Sequence, residues 1–382
     1  MPKTGSSSIQ DTLFYNLTDP RFHYTQLTGH ANAAHFIQAI FKETPQNHWI
    51  YRRKGWPAEK IEEKKKDYIT KLQKQLMYAA RTGKISILSA ETIWQFKSNE
   101  LESLKAFFEE LELTVKIVLY LRPIKSWIES SFQENVKYGI GFTDLSCLSD
   151  GTLIQQLDYK KRLSFFESIF GKENLVLRCF NRNSLHKGCV VADFCRYAGI
   201  DLNPHLILRA NDSIGADAVR LLHSYNHFAR DRDPPSLAMN HMLVMHLEEL
   251  VSEPFRLHSK MIAPLQDLIT TQNQAILQQY EIDIYEDLCH YDNGYCIEST
   301  ADLQEFSRNC LDWLAHAACC TAILQTEGEA SAREVANQVA ALVYRPTMAI
   351  RRRWFRQTLR SKLHGLSQRL AVATQNALMA VH

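Results

Sequence analysis

Apolar residues recur at helical spacing from the start of the chain. Ile9, Leu13 and Phe14 share one face of a helix that follows an opening polar loop, and His35, Phe36, Ile37, Ile40 and Phe41 mark a second. Glu59–Ala80 carries Ile61, Tyr68, Ile69, Leu72 and Leu76 on one side and a Lys/Glu-rich face on the other. Further helices are predicted at Leu101–Leu111, from Pro123 onward, and at Cys189–Tyr197, the last ended by Gly199. Between them lie short aliphatic and β-branched runs, Lys84–Ser89, Val115–Leu121 and Leu175–Phe180. Such runs mark strands buried on both faces. The alternation predicts an α/β fold with a central parallel sheet between helical layers. Residues 211–330 are helix-forming, broken at Asp231–Pro235 and at the polar turn Tyr291–Gly294. Thr326–Ala332 reads as a linker into a basic helical tail. The expected organisation is a core at 1–210, a helical region of the same domain at 211–330, and a tail at 331–382.

Charge changes this picture only at the end of the chain. From Val335 onward there is no Asp or Glu but eight basic residues: Arg345, Arg351, Arg352, Arg353, Arg356, Arg360, Lys362 and Arg369. Subtracting those eight from the net +2 leaves residues 1–334 at about −6. Leu359, Leu363, Leu366 and Leu370 make the tail an amphipathic helix, suited to an anionic membrane surface, to an acidic partner, or to packing on its own domain. The acidic body argues against nucleic acid. The nine cysteines are odd in number and form no Cys-x-x-Cys pair, so a reducing compartment and no metal site are expected. With no signal peptide and no apolar stretch of membrane-spanning length, the expected location is cytoplasmic, with peripheral contact at the inner membrane surface as the tail's alternative.

The opening loop Pro2-Lys3-Thr4-Gly5-Ser6-Ser7-Ser8 holds the most specific chemistry. Lys3 supplies a compact cation, Gly5 allows close backbone approach, and the serines add hydroxyl and amide donors where a helix starts. A generic Gly-Ser-Ser is a helix cap; the Pro-Lys in front turns it into an anion site. A nucleoside triphosphatase loop has its Lys after the glycine and a Ser/Thr for Mg²⁺. Here Lys3 comes first, which suits a phosphosulfate.

Pro2–Gln10 resembles the 5′-phosphosulfate loop of the PAPS-dependent sulfotransferase family, written Pro-Lys-[Ser/Thr]-Gly-[Ser/Thr]-[Ser/Thr]. Arg122 at a strand end and Ser130 eight residues later match the spacing with which that family holds the 3′-phosphate. Leu157-Asp158-Tyr159, Phe170–Leu175, Asp193-Phe194, Ala198-Gly199-Ile200, Asn211 and Ser213 extend the likeness to bacterial members. The Arg-Lys-Gly signature of the cytosolic animal enzymes is absent. The resemblance implies a three-layer, P-loop-like α/β core with helical C-terminal additions. It also implies PAPS as co-substrate, and Lys3, Thr4, Gly5, Ser6, Ser7, Arg122 and Ser130 as its binding residues. The acceptor is unidentified, a carbohydrate among the options, chosen by residues 211–330. Two groups are candidates for taking the acceptor's proton: Glu91 after the strand Lys84–Ser89, and His35 on the second helix, with His30 weaker. A P-loop kinase of a small hydroxyl compound and a non-catalytic binding protein are the alternatives. Met1 abuts Pro2, whereas the family sets a buried strand of about five residues before this loop. A start a few residues late, or weak PAPS binding, is therefore expected.

Overall fold

The computed structural model describes residues 1–359 apart from 28, 141–143, 149–153, 211–212, 231–234 and 345. Asn211, the sequence break at 231–234, Arg345 and the tail from Arg360 onward lie outside the described residues.

The chain mixes helices with parallel strand pairs, and helices dominate. In order come α1 (Ser6–Asn16), β1 (Phe22–Tyr24), α2 (Ala34–Phe41), α3 (Trp49–Arg53), α4 (Ala58–Arg81), β2 (Ile85–Ile87) and α5 (Ser98–Glu110). β3 (Ile117–Leu121), α6 (Ile124–Tyr138), α7 (Ile154–Leu157), α8 (Tyr159–Phe170), β4 (Leu175–Cys179) and α9 (Val190–Ala198) follow. The remainder is helical: α10 (Ala216–Phe228), α11 (Leu237–Leu247), α12 (Ser259–Ile262), α13 (Gln266–Tyr280), α14 (Arg308–Ala318) and α15 (Gly328–Tyr344). Residues 348–359 form one more helical stretch.

Among the described residues the strands make two separate two-stranded sheets. β1 pairs in parallel with β2, Phe22 opposite Ile85, and β3 with β4, Ile117 opposite Leu175. The single central sheet expected from the alternation is thus represented by two parallel pairs. β1 escaped prediction because three residues with His23 in the middle carry too little pattern to read. α6 follows β3 with Pro123 as its N-cap and ends at Gly139 in the left-handed region.

α6 is buried on more than its apolar face. Ile128, Phe132 and Val136 are fully buried, and so are Lys125 and Glu129. Burial raises the Glu129 pKa, opposed by the Leu257 N–H, Arg256 and Lys125. Arg256 lies 3.3 Å from Glu129, while Lys125 donates to the Leu288 carbonyl at 2.9 Å. These bonds clamp the segment around 255–297 onto α6, because a buried charge is tolerated only when paired.

Of the stretch read as a linker, Thr326–Ala332, the part from Gly328 onward forms the first turn of α15, and the expected boundary at 331 lies inside that helix. Ser331, Ala332, Val335, Ala336 and Val339 are buried as α15 packs on α10 and α14. Small residues allow that close approach, and the same small, polar composition is what mimics a linker in sequence.

Candidate functional site

The opening loop is bent by two left-handed residues, Lys3 (φ 64°) and Gly5 (φ 72°). Gly5 is the N-cap of α1; its carbonyl accepts the N–H groups of Ser8 (3.0 Å) and Ile9 (3.3 Å). A glycine contributes no capping side chain, and the first turn holds no acidic residue, so the positive end of the helix dipole lies at this loop.

The loop is wedged between the segment after β2 and the end of β3. On the β2 side, Ser6 Oγ donates to Glu91 Oε2 at 2.5 Å, and Gln10 Nε2 donates to Ser89 Oγ at 3.1 Å. Ser6 and Gln10 lie one turn apart on α1, so one helix face makes both contacts. On the β3 side, the Met1 nitrogen donates to the Tyr120 carbonyl at 3.3 Å, and Arg122 Nη1 donates to the Lys3 carbonyl at 2.7 Å. The Arg122 guanidinium also lies over the Phe180 ring, 5.3 Å from its centroid. Burial lowers the Arg122 pKa, opposed by the carboxylates of Glu129 and Glu286.

Lys3 and Arg122 are therefore brought together with Gly5 and Ser6. The Thr4 side chain is turned away, buried, with its hydroxyl donating to the Met1 carbonyl at 2.5 Å. The Ser8 hydroxyl accepts the Ala210 N–H at 3.1 Å and so helps pin the loop. Ser7 is part-exposed in the first turn of α1. Ser130 lies on α6, and Glu134, one turn further on the same face, sits 3.1 Å from Lys3 Nζ. That pair brings Lys3 to the Ser130-bearing face. Glu134 was not found by sequence; its spacing from Ser130 was the available signal.

The two proton-acceptor candidates sit on adjoining elements. Glu91 opens the 3-10 turn Glu91–Gln95, against which α2 packs. His35, on α2, lies against Phe36 with ring centroids 3.6 Å apart and planes tilted by 42°. Its pKa is pushed down to about 3, first by burial and then by Lys54, His30 and His48. His30 is exposed.

A buried network holds the β3–β4 end of this site. Asp193 on α9 accepts from Arg178 Nε and Nη2, from the Tyr120 hydroxyl at 2.7 Å and from the His186 N–H at 3.0 Å. Burial pushes the Asp193 pKa up, but these donors outweigh it and the net direction is down. β3, β4 and α9 are thereby fixed to one another directly beneath the loop.

No family model and no solved structure matches the chain. An uncharacterized protein of Archaeoglobus fulgidus is 26% identical over 220 residues, covering 52% of this chain. The match spans 58% of that relative's own length. No helix among the described residues is long and apolar enough to cross a membrane.

Proposed function

We propose that the chain is a PAPS-dependent sulfotransferase. In this reading the two parallel pairs belong to one P-loop-like three-layer core, and residues 211–330 carry the acceptor side. The observation that carries the reading is the meeting of Lys3, the left-handed Gly5 and Arg122 at the start of α1, with Arg122 lying 119 residues beyond Lys3. A point cation, a guanidinium fork and a helix start at one place suit a ligand with two phosphate groups.

The reaction is sulfuryl transfer to a hydroxyl or amine of a carbohydrate, lipid or small molecule. The acceptor atom bonds to sulfur as the bond from sulfur to the 5′-phosphate oxygen breaks. The electron pair leaves with that oxygen, giving PAP. Lys3 and the loop amides offset the charge that grows on the leaving phosphate, which is electrostatic catalysis. To do so Lys3 exchanges Glu134 for phosphate oxygen. The acceptor's proton passes to a base, and Glu91 is favoured over His35. A neutral imidazole whose conjugate acid is pushed down to about 3 by burial is a weak proton acceptor near neutrality.

Thermal-shift titration with PAP, and separately with ATP and Mg²⁺, tests the cofactor. Transfer of labelled sulfate from PAPS to glycans, lipids and phenols tests the reaction. PAP is expected to raise the melting temperature, and Lys3→Ala to weaken PAP by about tenfold or more through loss of a charge-assisted bond. Glu91→Gln is expected to keep PAP binding and lose transfer. Stabilisation by ATP and Mg²⁺ without any PAP effect would point to a kinase instead. Full biological activity in Lys3→Ala would point to a non-catalytic protein.

A further inference from the structure

Residues 348–359 are helical and are anchored by one side only. Ile350 is completely buried, Trp354 is half-buried, and Arg353 pairs with Glu248 at 3.1 Å. The opposite side holds large apolar groups in the open: Met348 is 63% exposed, Phe355 60% and Leu359 42%. At about 100° per residue these three fall within roughly 40° of one another around the axis. The exposed Arg351 lies on one flank of that stripe, and the exposed Arg352 and Arg356 on the other. Beside the helix opens a cavity of about 610 Å³, lined by Met239, Met242, Val343 and Trp354 with the arginines at its margin.

An apolar stripe bordered on both flanks by guanidinium groups has the profile of a bilayer interface. The stripe reaches the acyl boundary while the cations meet phosphate. Soluble chains do not usually leave such a stripe uncovered. Charge selects the occupant: the chain is wholly basic from Val335 onward and net acidic before it, so an anionic surface attracts this end and repels the rest. We propose that the helix at residues 348–359 docks the protein on an anionic phospholipid bilayer. The inference is independent of the chemistry at the loop.

The test is co-sedimentation of the full chain with vesicles of phosphatidylcholine alone and with about one-third phosphatidylglycerol, at low and high salt. Binding is expected on the anionic vesicles only and is expected to fall with salt. Two multiple variants, R351Q/R352Q/R356Q and F355S/L359S, each change exposed positions. Each is expected to bind at least about tenfold more weakly with its melting temperature unchanged. Absence of binding to anionic vesicles at low salt overturns the proposal, as does wild-type affinity in either variant. Two outcomes would assign the stripe elsewhere and also overturn it. One is a self-association in lipid-free solution that F355S/L359S abolishes, which makes it an interface between copies. The other is binding to soluble polyglutamate as tight as to vesicles, which makes the partner an acidic protein.

Discussion

Replacing Gly5 by alanine tests the loop geometry on which the functional reading rests. Gly5 sits at φ 72°, ψ 18°, where an L-residue is strained by about 1–2 kcal/mol. A Cβ there also meets Val190 Cγ1 at 2.7 Å and Phe180 Cε2 at 3.1 Å. Val190 is buried at the start of α9 and Phe180 continues β4, so the clash is relieved only by displacing side chains that pack under the loop. Overpacking of this kind costs about 1–3 kcal/mol, so Gly5→Ala is expected to lose about 2–5 kcal/mol in all. Gly199→Ala is the internal control: Gly199 has φ 73° and nothing within 4 Å of an added Cβ, so it carries the strain without the clash. Urea unfolding of both variants at unchanged m-value isolates the difference. Phe180 lies under Arg122, so Gly5→Ala is also expected to weaken anion binding at the loop, while Gly199→Ala leaves it intact. Equal losses in the two variants would mean that the loop does not pack against Phe180 and Val190, and the assembled site would go with it.

Asp193→Asn removes the counter-charge of the part-exposed Arg178 from a network whose carboxylate is itself buried, and is expected to cost about 2 kcal/mol by chemical denaturation. A loss below about 1 kcal/mol would show the network to be dispensable. Stability is also expected to fall as pH drops from 6.5 toward 4. His35, His48 and His223 are held down to about 3, 4 and 4, chiefly by burial, so in that window the unfolded chain binds protons that the folded chain does not. Each contributes at most about 1.4 kcal/mol per pH unit, and urea midpoints that stay level between pH 7 and 5 would refute the burial of these rings.

What could be read from the residues alone was local. Apolar spacing located α1, α4, α6 and α9, and aliphatic runs located β2, β3 and β4, because each pattern is complete within about a dozen residues. Gly199 ended α9 in the left-handed region for the reason glycine usually does, having no Cβ to clash. Three features failed to register, each for its own reason. β1 is too short to show a period. The start of α15 is written in small and polar residues that serve close packing, and the same residues compose linkers. The inward turn of Thr4 depends on a bond to Met1 that no motif encodes, so the motif names the residue without its orientation.

The candidate site shows the same division more sharply. Lys3, Ser6 and Gly5 are adjacent in sequence, yet their setting is made by Glu91, Arg122 and Glu134, none of which lies within 80 residues of the loop. A local motif can supply donors; only tertiary contacts decide which acceptors they hold. In this chain the loop's cation and the first of its serine hydroxyls are both engaged by carboxylates, Lys3 by Glu134 and Ser6 by Glu91. An arriving anion therefore competes with internal ones. Its net affinity is the difference between two charge-assisted sets of bonds rather than the full strength of either. A dianionic phosphate group outcompetes a single carboxylate for Lys3 more readily than a monoanion does. On the proposed function, the pairing that satisfies the loop thus also biases it toward ligands of high charge density.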